Sequence, residues 1–177
     1  MHQIRHMETF FYSRTNSPVG PLNLAVSNGR LVLLEFDRGT FPPKSSKDIW
    51  TKSEEATRGH VRELREYFRG QRRDFTFPLD LRGTEFQLKC WGELLQIPYG
   101  ETRTYADIAR AVGQPHGFRA VGSANHQNPI AIVVPCHRVI ASDGTLCGYG
   151  GGLDTKRKLL DLEARCTGLF AKQGSAR

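Results

Sequence analysis

Residues 104–128 read TYADIARAVGQPHGFRAVGSANHQN, and the capping signals inside this stretch decide the fold of the second half of the chain. Thr104 followed three residues later by Asp107 is a helix start: the threonine hydroxyl can accept the Asp107 amide, and the carboxylate can reach back. The helix runs through Val112, and Gly113 closes it because glycine enters the left-handed region without steric cost. After Gln114-Pro115 a second helical segment spans roughly 117–125 and ends at the turn Asn125-His126-Gln127-Asn128-Pro129. Two short helices about a glycine-containing turn have the form of a helix-turn-helix, a form shared with helical hairpins that never meet DNA. In the second helix Ala120, Gly122, Ser123 and Ala124 supply almost no bulk, and the glycine costs about 1 kcal/mol of helix propensity relative to alanine. Such a surface suits close approach, either of another helix or of a nucleic-acid backbone, and Arg119 is the one long cationic side chain it presents.

Upstream, Thr84-Glu85-Phe86-Gln87 has the form of a capping box. Phe86, Cys90 and Leu94 then recur at i, i+4 and i+8, widened by Trp91 and Leu95, in a helix that stops before Pro98-Tyr99-Gly100. Cys90 is therefore a core residue. The change of character at Gly83 places a domain boundary there, dividing the chain into 1–82 and 83–177. In the first part ETFFYSR, PLNLAVS and RLVLLEF, between 8 and 36, read as strands, the last two joined by the hairpin signal Asn28-Gly29. Residues 37–56 read as a loop, with Pro42-Pro43 and Ser45-Ser46. Val61, Leu64, Tyr67 and Phe68 share one face of a helix that Gly70 can end, while Arg62, Arg65 and Arg69 cover its outside. Phe75–Leu81 alternates like one more strand. The expected class is α/β (α+β): a small antiparallel-sheet domain, then a mostly helical domain of helix-turn-helix form with a mobile tail from about 165.

A chain of 177 residues, 38% of them hydrophobic, can bury one respectable core or two small ones. Residues 1–13 lack the apolar centre of a secretory signal, and the longest apolar run, Ile130–Val134, is far too short to span a bilayer. A cytoplasmic protein without membrane contact is expected, and Met7 could serve as the start as well as Met1. Cysteines at 90, 136, 147 and 166 form no CxxC pair and match no histidine spacing, so free thiols are expected rather than a zinc site or a disulfide framework. The net charge is +7. It fits a polyanionic partner, and equally a generally basic soluble surface. No basic tail carries it: thirteen Lys and Arg face nine Asp and Glu up to Pro78, and twelve face nine beyond it.

The chemistry centres on Ile132–Ile140, IVVPCHRVI. Ile130–Val134 is short, β-branched and apolar, as a fully buried strand would be. Pro135 cannot continue a ladder but suits the first position of a helix, which puts Cys136 at a strand-to-helix junction. Helix-start amides favour a thiolate, whereas apolar burial opposes it, so the thiol needs a base. His137 is adjacent, yet neighbours on a helix point about 100° apart, which makes a direct bond awkward and favours a bridging water. A third group must orient the imidazole, and Glu163, in the final helix 156–164 beside Leu159-Leu160-Leu162, is the attractive carboxylate. A packed thiol beside a hydrogen-bonded imidazole with no reaction is the alternative.

PCHRVI, together with GTEFQ, IPYGETRTYADIA, FRAVGSANHQNP and GYGGGLDTKRKLLDLE, resembles the O6-alkylguanine-DNA alkyltransferase family in order and spacing across 83–164. SPVGPLNLA and the surrounding 8–81 resemble that family's ribonuclease H-like N-terminal domain. The resemblance implies a winged helix-turn-helix domain over 83–177 and a DNA repair enzyme of the methylated-DNA–protein-cysteine S-methyltransferase type. It would act as a monomer on double-stranded DNA carrying O6-alkylguanine, with O4-methylthymine as a second expected substrate, and without a cofactor or a metal. Cys136 would take the alkyl group irreversibly from a base flipped into a dry pocket. His137, through a water and backed by Glu163, would draw off the thiol proton. Tyr105 matches the tyrosine that donates toward N3 of the departing guanine, Asn128 the asparagine that holds the turn before the nucleophile, and Arg119 the arginine that replaces the flipped base. Ala120, Ser123 and Ala124 would meet the minor groove beside Tyr105. The carbonyls of Cys136 and Val139 would read the exocyclic amine, with Tyr149 and the Gly150 amide completing the base pocket.

Two features depart from the pattern. Gly150 stands where some relatives carry serine, which loosens the loop 148–152. Cys147 matches no family feature, and reads either as a small turn residue or as a second thiol able to pair with Cys136 on oxidation. A non-catalytic winged-helix binder of alkylated DNA is the rival from another class, and a cysteine hydrolase using Cys136 and His137 a weaker one.

Overall fold

The computed structural model describes residues 7–43 and 47–168. Three antiparallel strands come first, β1 (Thr9–Thr15), β2 (Leu22–Ser27) and β3 (Arg30–Phe36). The β2–β3 turn is the Asn28-Gly29 hairpin, both residues at positive φ (49° and 73°) as such a turn demands. A fourth strand, β4 (Ile49–Lys52), pairs in parallel with β1 and gives the order β3-β2-β1-β4. Helix α1 (Glu54–Phe68) starts at Ser53, whose hydroxyl accepts the Ala56 amide, and ends at Gly70. It packs Leu64 and Tyr67 into the core with Leu22, Leu24 and Leu31.

The segment 37–56 is thus less of a loop than its polarity suggests. A four-residue strand has too little periodicity to read locally. It forms because β1 offers a free edge, where Ile49 donates to the Glu8 carbonyl, Ser53 donates to Tyr12, and Trp50 stacks on Phe10 at 4.6 Å. Phe75–Leu81 departs in the other direction, being no strand. It makes one bridge, Leu79 with Leu31, because Pro78 has no amide to donate and serves only as acceptor for Leu31.

The second half contains α2 (Glu85–Leu95), β5 (Arg103–Thr104), α3 (Tyr105–Ala111), α4 (Phe118–His126), β6 (Val139–Ile140) and α5 (Leu153–Cys166). Both capping boxes form, Thr84 with Gln87 and Thr104 with Asp107. Helices α3 and α4 pack on α2 around Trp91, Leu94, Ile108 and Val121, and the Trp91 indole donates to the Ala124 carbonyl at 2.9 Å. The wing is reduced to a parallel pair of two-residue strands, β5 and β6.

The two halves meet at the free edge of β3. Leu34 donates to the Pro129 carbonyl and Ala131 donates to Leu34. The chain leading to Cys136 is therefore docked on the N-terminal sheet, but Ile130–Val134 is not the buried strand its composition suggests. It folds into tight turns, with Val133 donating to Ala131 and Val134 to Ile130, and Ile132 at φ 73°. That angle costs a β-branched residue about 1–3 kcal/mol, offset here by complete burial of Ile130, Ile132 and Val134. Helix α5 runs past both expected ends, and Cys166 packs against Gly70 just beyond α1, where an added Cβ would fall 2.5 Å from its sulfur. The expected mobile tail beyond Gly168 and the first six residues lie outside the described residues. Among these no helix is long and apolar enough to cross a membrane.

Candidate active site

Cys136 opens a 3₁₀ turn, Cys136–Arg138, and is only 7% exposed. Its own amide is spent on the Val134 carbonyl. Asn128 locks this geometry: its side-chain amide donates to the Val134 carbonyl at 2.8 Å and to Cys136 Sγ at 3.2 Å, while its oxygen accepts the Ile130 amide. Burial pushes the thiol pKa up, and the Asn128 amide, the Lys156 charge and the local backbone amides offset this only in part. The thiol is protonated at neutral pH and depends on a base.

The candidate base is oriented from behind. His137, fully buried, lies 2.8 Å from Glu163 Oε1 through Nε2. The same carboxylate accepts the Tyr67 hydroxyl, the Arg138 guanidinium at both oxygens, and the Gly100 amide. Burial raises the Glu163 pKa, but hydrogen bonds and charge from His137 and Arg138 outweigh it and hold the carboxyl well below its ordinary range. An ionised carboxylate only accepts, so Nε2 carries the proton and Nδ1 keeps the lone pair. Nδ1 is buried and bonds no described residue. Burial also depresses the His137 pKa, with Glu163 opposing, so the imidazole is neutral and able to take a proton.

A cavity of about 360 Å³ opens beside the sulfur, lined by Asn128, Cys136, Tyr149 and Gly150, and on the N-terminal side by Phe36 and Arg38. Tyr149 stands edge-on to Phe36, centroids 5.7 Å apart, and the Gly150 carbonyl accepts Arg38 Nη2 at 2.8 Å. Tyr105 and Arg119 line a separate, neighbouring depression of about 620 Å³ with Gly122, Cys147 and Gly148. The loop between them is tied to the helices by Tyr105 and Lys156, which both donate to the Cys147 carbonyl. Burial, then Cys147, pushes the Tyr105 phenol above its ordinary value, keeping it a hydrogen-bond donor.

Not every expected position faces as expected. Arg119, Ala120 and Ser123 are exposed on α4, but Ala124 is 2% exposed and turned toward α2, so its side chain is unavailable to a duplex. Gly122 is not required by packing, since a Cβ there would meet only a Tyr105 ring carbon at 3.9 Å. The Val139 carbonyl accepts Lys156 Nζ at 2.6 Å and the Cys136 carbonyl accepts the Val139 amide. Cys147 is exposed and Cys90 buried, and all four thiols are free.

Sequence profiles for the 6-O-methylguanine DNA methyltransferase ribonuclease-like domain and DNA binding domain match residues 10–81 and 85–165. The chain belongs to the 6-O-methylguanine DNA methyltransferase family. A methylated-DNA–protein-cysteine methyltransferase of Mycobacterium bovis is 51% identical over 152 residues, 86% of this chain and 91% of that protein. One from Methanosarcina acetivorans is 47% identical over 156 residues, 88% and 99% of the two chains. The crystal structure of Mycobacterium tuberculosis OGT in complex with DNA matches with a TM-score of 0.80 at 48% identity, covering 88% of this chain and 94% of that one.

Three residues of this site escaped sequence reasoning. Arg138 is a charge inside an apolar run, and such a residue has to be paired. Lys156 shares one helical face with Leu159 and Glu163, and that spacing was the available signal. Tyr67 carried no signal beyond an apolar helix face, because its partner is distant in sequence.

Proposed function

We propose that this protein repairs DNA directly, by moving the alkyl group from O6 of a guanine turned out of the duplex onto Cys136, once per molecule. The observation that carries this reading is the polarity of the Glu163–His137 pair, which leaves a buried lone pair on Nδ1 of the residue that follows a buried thiol. In the reaction the sulfur attacks the alkyl carbon in line, the carbon–O6 bond breaks, and its electron pair stays on the guanine. The thiol proton passes through a bridging water to His137 Nδ1. Tyr105 donates toward N3 and offsets the charge developing on the leaving base. The thioether is not hydrolysed, so no second turnover follows.

Arg119 enters the duplex in place of the base, while Ala120, Gly122 and Ser123 let the minor groove approach. The names of the relatives and the DNA-bound structure support this assignment. Residues 1–82 support the site and 83–177 carry it, a division consistent with profiles that end at 81 and begin at 85. The cytoplasm is the proposed compartment. The test is to mix the protein with a duplex containing one O6-methylguanine and map the masses of its cysteine peptides. One methyl on the Cys136 peptide, stopping at one per molecule, is expected. Tight lesion binding with unmodified Cys136 would make it a non-catalytic binder.

A further inference from the structure

The helix-turn-helix accounts for only part of the basic charge. The chain up to Pro78 carries the larger share of the excess, thirteen Lys and Arg against nine Asp and Glu. Much of it is gathered in one place, a cleft of about 610 Å³ between the end of β1 and the outer side of α1. Arg14 and Thr15 line it from β1, and Arg58, Arg62, Arg65 and Arg69 from α1. The spacing of 4, 3 and 4 residues puts these four arginines in one straight row, about 16 Å long.

These cations are weakly committed. Arg58 and Arg62 reach Glu55 and Glu66 only at 3.9 and 3.7 Å, and Glu66 is already held by Arg72 at 2.8 Å. Among the described residues Arg65 and Arg69 form no ion pair, whereas Arg14 pairs with Asp37 at 2.7 Å. Glu54 and Glu66 are the carboxylates in the lining. A second observation points to a ligand: the Thr15 hydroxyl is buried at the cleft and bonds no described residue.

We infer that this cleft holds the phosphate backbone of duplex DNA, outside the segment read by α4. The inference rests on the repair reading above. The lining has no aromatic ring, so it offers no platform for stacking bases, and Val61 is its one sizeable apolar side chain, too little to anchor a protein or a membrane. What remains is a row of guanidinium forks, which match phosphate oxygens two at a time and read no sequence.

The experiment measures affinity of the full-length protein for an undamaged duplex of about three helical turns, by fluorescence anisotropy, over about 50–200 mM salt. The Arg65→Ala/Arg69→Ala pair is expected to lower the slope of log affinity against log salt by about two, one for each lost phosphate contact. The Arg65→Lys/Arg69→Lys pair should keep most of that slope, and methylation of Cys136 by a saturating damaged duplex should go unchanged in both. Coincident slopes for wild type and the alanine pair would overturn the assignment. So would displacement of the duplex by inorganic phosphate at equal phosphate concentration, which would mark a small-anion site. Where wild-type Cys136 is methylated and the slopes coincide, the cleft alone fails. A wild type that neither binds duplex nor reacts takes both readings down.

Discussion

Glu163 and the outer face of α4 differ in how completely the protein satisfies them. The buried carboxylate takes hydrogen bonds from Tyr67, Gly100, His137 and Arg138, drawn from three separate stretches of chain. The face of α4 has the exposed Phe118 and Arg119 and a glycine that no neighbour requires. A group that must hold one protonation state has to be surrounded, since a half-satisfied buried charge is worse than none. A surface that must take in a duplex gains from being bare, because its partner supplies the contacts. Loss of stability should therefore follow mutations at the first region, and loss of binding those at the second.

The largest effect is expected from Glu163→Ala, which strands the buried Arg138 and leaves His137 without an orienting partner. It should cost about 3–5 kcal/mol in urea unfolding and abolish transfer to Cys136. An unfolding midpoint like that of the wild type would break the comparison. Arg119→Ala should do the reverse: stability within about 0.5 kcal/mol of wild type, but transfer from a lesion-bearing duplex slowed roughly ten- to a hundredfold, as for one lost charge-assisted contact. Tyr67→Phe tests the depth of the first region, removing one donor from Glu163 at about 1–1.5 kcal/mol in the same denaturation assay while transfer persists. Gly122→Ala sharpens the second. It should raise stability by about 1 kcal/mol, from helix propensity, and weaken duplex binding in a titration, whereas a glycine kept for internal packing would show a loss of stability.

The smallest effect is a pH dependence. Burial depresses the pKa of His60, whose ring nitrogens bond no described residue, and that of His137. The unfolded chain then binds protons near pH 6.5 before the folded protein does, so stability is complete above that value and falls as pH drops through it. Urea midpoints followed from neutral pH downward should show the decline, and His60→Phe should make it shallower. An unchanged profile in that variant would leave His137 and the carboxylates as its source.

Legibility in the sequence tracked the range of the interactions. Both capping boxes, the Asn28-Gly29 hairpin and the Gly70 and Gly113 stops are decided within four residues, and each stands where the local chemistry puts it. Strand β4 and the turns at 130–134 depend on the edges of β1 and β3, and polarity or β-branching alone misreads both. The same holds at the site. Cys136, His137 and Asn128 are close in sequence, and their pattern marks the candidate nucleophile, while Glu163 could be inferred from its helix face.

By itself, then, the sequence determined the helix-turn-helix, the candidate nucleophile and the family, because caps, turns and a contiguous motif are short-range objects. Only the tertiary structure decided that Tyr67 and Arg138 complete the carboxylate centre, that Lys156 ties Val139 to the Cys147 loop, and that Ala124 faces inward. Those choices are made by which elements pack together, and a buried charge finds its partners across the fold rather than along the chain.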